Sequence, residues 1–321
     1  MEATMRKPTN TLFLLTLAAA ILMPAAYGTA QAGEFKAEYL YNLSNFTGTI
    51  PYNWVGLFCD SQNKEVYVVN TADHSVRIFN DHGMEVYSFG DDEALGDVEG
   101  VARTEDGDLL LLSYTAGRYS VIHANFRGEP TSKVELKGLP KGLSSNFYPN
   151  GIMYRAGHIY LVDKNSMKVL VAGRDGSFEK LYDLGQILGM DEKKRADTGI
   201  AGFSMDDKGD MLFTIPSIFA AYVVSPDRKV RSFGTRGSSP GKFNIVGGIA
   251  RDEKGDYYVV DTLRGVVMVF NKAFKFQSEF GYWGIGPGNL ISPMEVAVSN
   301  DKVYVTQSMR RGVSVYQVRI N

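Results

Sequence analysis

The chain has 321 residues, 44% of them hydrophobic, which is enough for a large core; its formal net charge is −2 and no basic cluster stands out, which argues against nucleic acid as a partner. About 150 residues per domain would suggest two domains, but all-β chains of this size commonly form one. The single cysteine, Cys59 in the apolar run WVGLFC, excludes a disulfide within the chain and reads as a small buried hydrophobe, and the lack of CxxCH excludes covalent c-type haem.

In chain order, the N-terminus has the grammar of an export signal. Arg6 and Lys7 precede the apolar run TLFLLTLAAAILM at residues 11–23, and Ala30-Gln31-Ala32 offers a small-x-small cleavage site. The run is short of the roughly 20 residues needed to span a bilayer. The expectation is a cleaved signal over 1–32 and a mature domain over 33–321, periplasmic or extracellular, with net charge −3 and no membrane span. No cysteine stands at the cleavage point, which disfavours a lipid anchor. FKAEYLYNL, residues 35–43, reads as a strand, followed by two short glycosylation-acceptor matches at Asn42 and Asn45.

Six units of one pattern follow. In each, an apolar strand starts at or near a glycine, a polar turn leads to a second apolar strand, and a third and fourth close the unit. The initiating positions are Gly56, Gly100, Gly151, Gly202, Gly248 and Glu295, spaced by 44, 51, 51, 46 and 47. EDGD, DKGD and EKGD recur as hairpin turns in which glycine supplies positive φ. Four strands per roughly 45 residues is the period of a propeller blade. The sixth unit stops one strand short, so the economical fold is all-β, a six-bladed β-propeller in which residues 35–43 supply the missing outer strand and close the ring.

The repeat is plainest between blades. FGTRGSSPGKFNIVGGI from Phe233 and FGYWGIGPGNLISPMEV from Phe280 align at an offset of 47, matching Gly234 to Gly281, Gly237 to Gly284, Pro240-Gly241 to Pro287-Gly288 and Phe243 to Leu290. No P-loop spacing is present, so these glycines serve backbone geometry in a connector.

GGIARDEKGDYYVVDTLRGVVMVF, with weaker copies at VYVVNTADHSVRIF and IYLVDKNSMKVLVA, resembles the NHL repeat. The resemblance spans about residues 50–320 and departs at LLLLSY and MLFTIP, where the acidic strand ending is missing. It implies a six-bladed propeller used as a binding scaffold for a protein or cell-envelope polymer. Asp163 and Asp261 would then bind the turns of their own blades. Arg264 and Arg310 stand at equivalent places and suggest a repeated surface stripe on a binding face, with Trp54, Tyr148, Tyr282 and Trp283 at one mouth, where a small ligand is a further reading.

Catalytic readings are thinner. VEGVA and PNGIM resemble channel motifs of calcium-dependent gluconolactonase-like and paraoxonase-like propellers, and that resemblance makes Glu99, Asn150, Glu295 and Asp197 the candidate ligands for calcium in a hydrolase or lactonase. Ala201 and Gly247 stand where two further blades would need donors. The four histidines, His74, His82, His123 and His158, share no blade position suited to a common zinc, and there is no GxSxG or spaced Cys/His pair. The expectation is therefore a non-catalytic protein without a cofactor.

Overall fold

The structure is a computed structural model that describes residues 35–320 apart from 46–47, 51–55, 72, 91–93 and 144–145. The segment read as an export signal and Trp54 lie outside the described residues. The rest forms six four-stranded antiparallel sheets arranged as the blades of a propeller.

From the innermost strand outward, blade 1 is Gly56–Asp60, Glu65–Asn70, Ser75–Phe79 and Glu85–Phe89. Blade 2 is Asp97–Arg103, Leu109–Thr115, Arg118–Ala124 and Pro130–Val134. Blade 3 is Gly151–Arg155, His158–Asp163, Lys168–Gly173 and Phe178–Asp183. Blade 4 is Phe203–Met205, Met211–Ile215, Ala220–Val224 and Val230–Phe233. Blade 5 is Val246–Arg251, Tyr257–Asp261, Val266–Phe270 and Phe276–Gly281. Blade 6 is Pro293–Ser299, Lys302–Gln307 and Val313–Ile320, completed on its outer edge by Phe35–Asn42.

Every blade lies between two others, so both faces of its sheet must be apolar. This explains why the second strands read as continuous hydrophobic runs rather than as alternating ones. Leu109, Leu110, Leu111 and Leu112 are all fully buried, with odd positions in the core shared with blade 1 and even positions in the core shared with blade 3. The same division separates Met211, Phe213 and Ile215 from Leu212 in blade 4. Six such cores exist, one per seam between blades.

The hairpin turns behave as the sequence implies: Gly107, Gly209 and Gly255 have φ of +91°, +82° and +95°. Charges near these turns staple adjacent blades on that face. Arg103 reaches Asp60 at 2.7 Å, and Arg251 of blade 5 reaches Asp206 of blade 4, with both of the latter side chains nearly buried.

The charged connector between blades 3 and 4 contains two short helices, Leu184–Ile187 and Glu192–Ala196. Asp183 and Asp191 cap them, accepting from the Gln186 and Lys194 amides at 2.8 and 2.7 Å, and such caps favour a single helical turn at each site.

The two aligned connectors share the conformation of two glycines, although Tyr282 is left-handed and its counterpart Thr235 is not. Gly234 and Gly281 have φ of +108° and +105°, and Gly241 and Gly288 have +77° and +76°. Phe243 N donates to Thr235 O and Leu290 N to Tyr282 O, each at 2.9 Å. Phe243 and Leu290 are fully buried plugs beneath their loops, and their side chains fill the space a Cβ would need at Gly234 and Gly281. Phe243→Ala should cost roughly 3–5 kcal/mol in denaturant unfolding, as for other buried aromatic truncations. Lys242→Ala, next to it and exposed, should change stability by less than about 0.5 kcal/mol.

Candidate functional site: the channel and the connector face

Antiparallel alternation places the connectors between blades and the turn between second and third strands on one face of the ring. Asp163 and Asp261 end second strands on this face and do equivalent work. One oxygen of each accepts from the following turn, at Asn165 and Ser166 N or at Arg264 N; the other accepts from the arriving connector, at Tyr148 N or Asn244 N, at 2.9 and 2.8 Å. In blade 6 the job passes to Gln307, whose Oε1 accepts from Ile291 N at 2.8 Å. These buried side chains fix the height of each connector, as the repeat pattern implies.

Inside the channel, Glu99, Asn150 and Glu295 line one cavity of about 100 Å³, as the sequence suggests, together with Lys164. Lys164 Nζ lies 3.0 Å from Glu295 Oε1. Blades 3 and 6 stand opposite in a ring of six, so this ion pair crosses the channel. Asn150 Oδ1 accepts from Lys164 N at 3.1 Å and is turned toward its own blade. Asp197 is exposed at the end of the short helix and does not line the cavity. This donor set fits a hard cation poorly, because calcium needs six to eight oxygens and the ammonium of Lys164 already holds Glu295. Among the described residues, no group of three or more His, Cys, Asp or Glu is placed to share an ion.

A larger space of about 370 Å³ continues toward the opposite face, lined by Phe58, Phe203, Arg155 and Arg251 among others. Cys59 also lines it; burial, then the neighbouring Asp60 carboxylate, pushes its thiol up to about 12, which makes it a poor nucleophile. The histidines are dispersed, each beside a different carboxylate: His74 with Asp97, His82 with Asp81, His123 with Asp108, and His158 with Glu179.

The connector face carries a different chemistry. Eight of the thirteen exposed large hydrophobic residues among those described belong to its loops and turns. Six come from blades 5 and 6: Ile245, Leu263, Tyr282, Trp283, Ile285 and Met309. They are neighbours. Thr262 N donates to Ile245 O at 2.8 Å, Gly265 lies against the Trp283 backbone, and Arg311 Nη1 donates to Ile285 O at 3.2 Å. Exposure reaches 67% at Trp283, 73% at Met309 and 81% at Ile285. Tyr282, Met309 and Arg310 have φ near +60°, an uncommon conformation for such side chains. Tyr148 is exposed on the same face, on the connector into blade 3.

The two arginines expected to form a stripe part company. Arg310 is exposed, whereas Arg264 is drawn into an ion pair with Glu279, both side chains largely buried. Sequence reading missed Lys164, Ile245, Leu263, Ile285 and Met309. A signal existed for Ile285: its partner in the sister connector is Ser238, and the pairs Tyr282/Thr235 and Trp283/Arg236 are equally unlike.

No protein-family model matches the chain, and no curated protein does. Solved structures do. A Bacteroides thetaiotaomicron protein of unknown function is similar with a TM-score of 0.63 and 13% identity, over 89% of this chain and 77% of that one. Virginiamycin B lyase from Staphylococcus aureus is similar with a TM-score of 0.56 and 12% identity, over 90% and 100%. A chain of a nidogen–laminin complex gives 0.53 and 17%, over 77% and 93%. At these identities the likeness shows the propeller fold alone.

Glu99 offers a test of the channel electrostatics. Burial, and then the Asp97 carboxylate, pushes its carboxyl above the ordinary range. The folded pKa exceeds the unfolded one, so the linked stability is complete below the unfolded value, about 4.3, and is lost as pH rises through the folded value. Glu99→Gln should therefore melt higher than wild type at about pH 7.5, with the gap closing by about pH 4. A Tm difference that does not change with pH would contradict this.

Proposed function

We propose that this chain is an exported, non-catalytic propeller of NHL-like type that binds a protein or cell-envelope partner on the connector face of blades 5 and 6. The observation that carries this reading is the pair of sister connectors. They share the conformation of two glycines, the bond made by the plug residue's amide and a fully buried apolar plug, yet one presents Thr235, Arg236 and Ser238 where the other presents Tyr282, Trp283 and Ile285. The loop does not need those apolar side chains to fold. Holding them in water is unfavourable, and a contiguous apolar patch on a rigid face is the usual mark of an interaction site. Export rests on the N-terminal sequence, with Arg6, Lys7 and the apolar run ahead of Ala30-Gln31-Ala32.

The propeller supplies rigidity, so its loops lose little freedom on binding. The nidogen–laminin likeness is compatible with this use of the fold, and the lyase likeness with a catalytic one. A metal-dependent hydrolase would require an ion to displace Lys164 from Glu295 and to recruit donors from elsewhere. That requirement places the binding reading ahead.

Photo-crosslinking in the source cells tests it. A photoreactive residue at Trp283 should give a discrete adduct, one at Tyr87 on the outer strand of blade 1 should not, and Ile285→Ser with Met309→Ser should abolish the adduct. Trp283→Ala should weaken binding of the captured partner by about 2 kcal/mol, as for a central aromatic anchor. Equal crosslinking at both positions, or full binding after these substitutions, would overturn the proposal.

A further inference from the structure

The charges around the apolar patch are one-sided. Four segments build the connector face of blades 5 and 6: residues 234–245, 262–265, 281–292 and 308–312. They contain Arg236, Lys242, Arg264, Arg310 and Arg311, and no aspartate or glutamate. Two carboxylates lie beneath them: Glu279 is occupied by Arg264, and buried Asp261 accepts from the Asn244 and Arg264 amides. Arg236, Lys242 and Arg310 are exposed. Arg236 stands over the Phe219 ring, 5.0 Å from its centroid, which holds its charge near the rim of the patch. The chain as a whole is slightly acidic, so this cationic concentration is local.

Resting on the binding reading above, we infer that the partner is a protein segment that presents aspartate or glutamate around apolar anchor side chains. The apolar part is aliphatic as much as aromatic, through Ile245, Leu263, Ile285 and Met309. Aliphatic side chains complement the side chains of a protein. A polysaccharide would instead stack its rings on aromatics and seek carboxylate and amide groups for its hydroxyls, and these segments carry no carboxylate. The cationic rim complements an acidic partner, quickens its encounter and excludes basic competitors. An apolar centre with charge at its rim is the usual anatomy of a protein interface.

A random 12-residue peptide library displayed on phage and selected against the full-length chain tests this directly. The enriched peptides should be net acidic and carry Leu, Ile, Phe or Trp. A selected peptide, made synthetically, should bind at least tenfold more weakly to Trp283→Ala. The same loss is expected for Arg236→Glu combined with Arg310→Glu, and for wild type when salt rises from about 0.05 to about 0.5 M. Circular dichroism and Tm should be unchanged in these loop variants. An enriched pool that is neutral or basic, no enrichment, or indifference to charge reversal would overturn the inference. So would polygalacturonate, an anionic polymer without apolar anchors, binding as tightly as the peptide. Loss of the crosslinked partner with Ile285→Ser but not with charge reversal would leave the binding face standing and remove only its acidic partner.

Discussion

The fold depends on one pairing, between Phe35–Asn42 from one end of the chain and Val313–Ile320 from the other. No blade can cover both of its own faces, so six blades in a row would leave two apolar surfaces exposed. Bending the row into a ring removes them, and something must then lock the ends together. Phe35, Ala37 and Tyr39 enter the core between blades 5 and 6, where Phe35 stacks on Phe280 and Tyr39 meets Tyr316 edge-on. A register shift between Tyr39 and Tyr41 then turns Leu40 and Tyr41 to the core between blades 6 and 1. One strand thus serves both seams of the closing blade. Leu43, 1% exposed, and the hydrogen bond its N–H donates to Val313 O carry the lock to the end of the strand.

A closed ring converts loops into a fixed surface. Buried Asp163, Asp261 and Gln307 tie three of the connectors to the strands below them, and Phe243 and Leu290 plug two of the loops from beneath. The surface residues are then free of structural duty, and the sister connectors differ most in chemistry where they face solvent. The channel shows the opposite economy. Lys164 and Glu295 are spent on one another across the ring.

Repetition made the fold legible. The offset of 47 between connectors, the glycine turns at 107, 209 and 255, and the missing strand of the sixth unit together specify blade number, strand number and closure. Local chemistry was also readable: Asp163 and Asp261 bind their own turns as their position at the strand end implies. What escaped were contacts between distant parts of the chain. Nothing near Lys164 announces Glu295, 131 positions away. Arg264 and Arg310 look alike in their turns, and nothing beside Arg264 announces Glu279, 15 positions away on the outer strand of its blade. The cationic face was hidden for the same reason. Its charges are scattered through three segments of the chain, and only the ring assembles them.

Hydrogen–deuterium exchange of the intact chain tests closure most directly. If the ends lock the ring, amides of Lys36–Tyr41 will be protected to the same degree as those of Val313–Val318, and both stretches will open together with the rest of the domain. Rapid exchange at Lys36–Tyr41 beside an otherwise protected sixth blade would contradict the account.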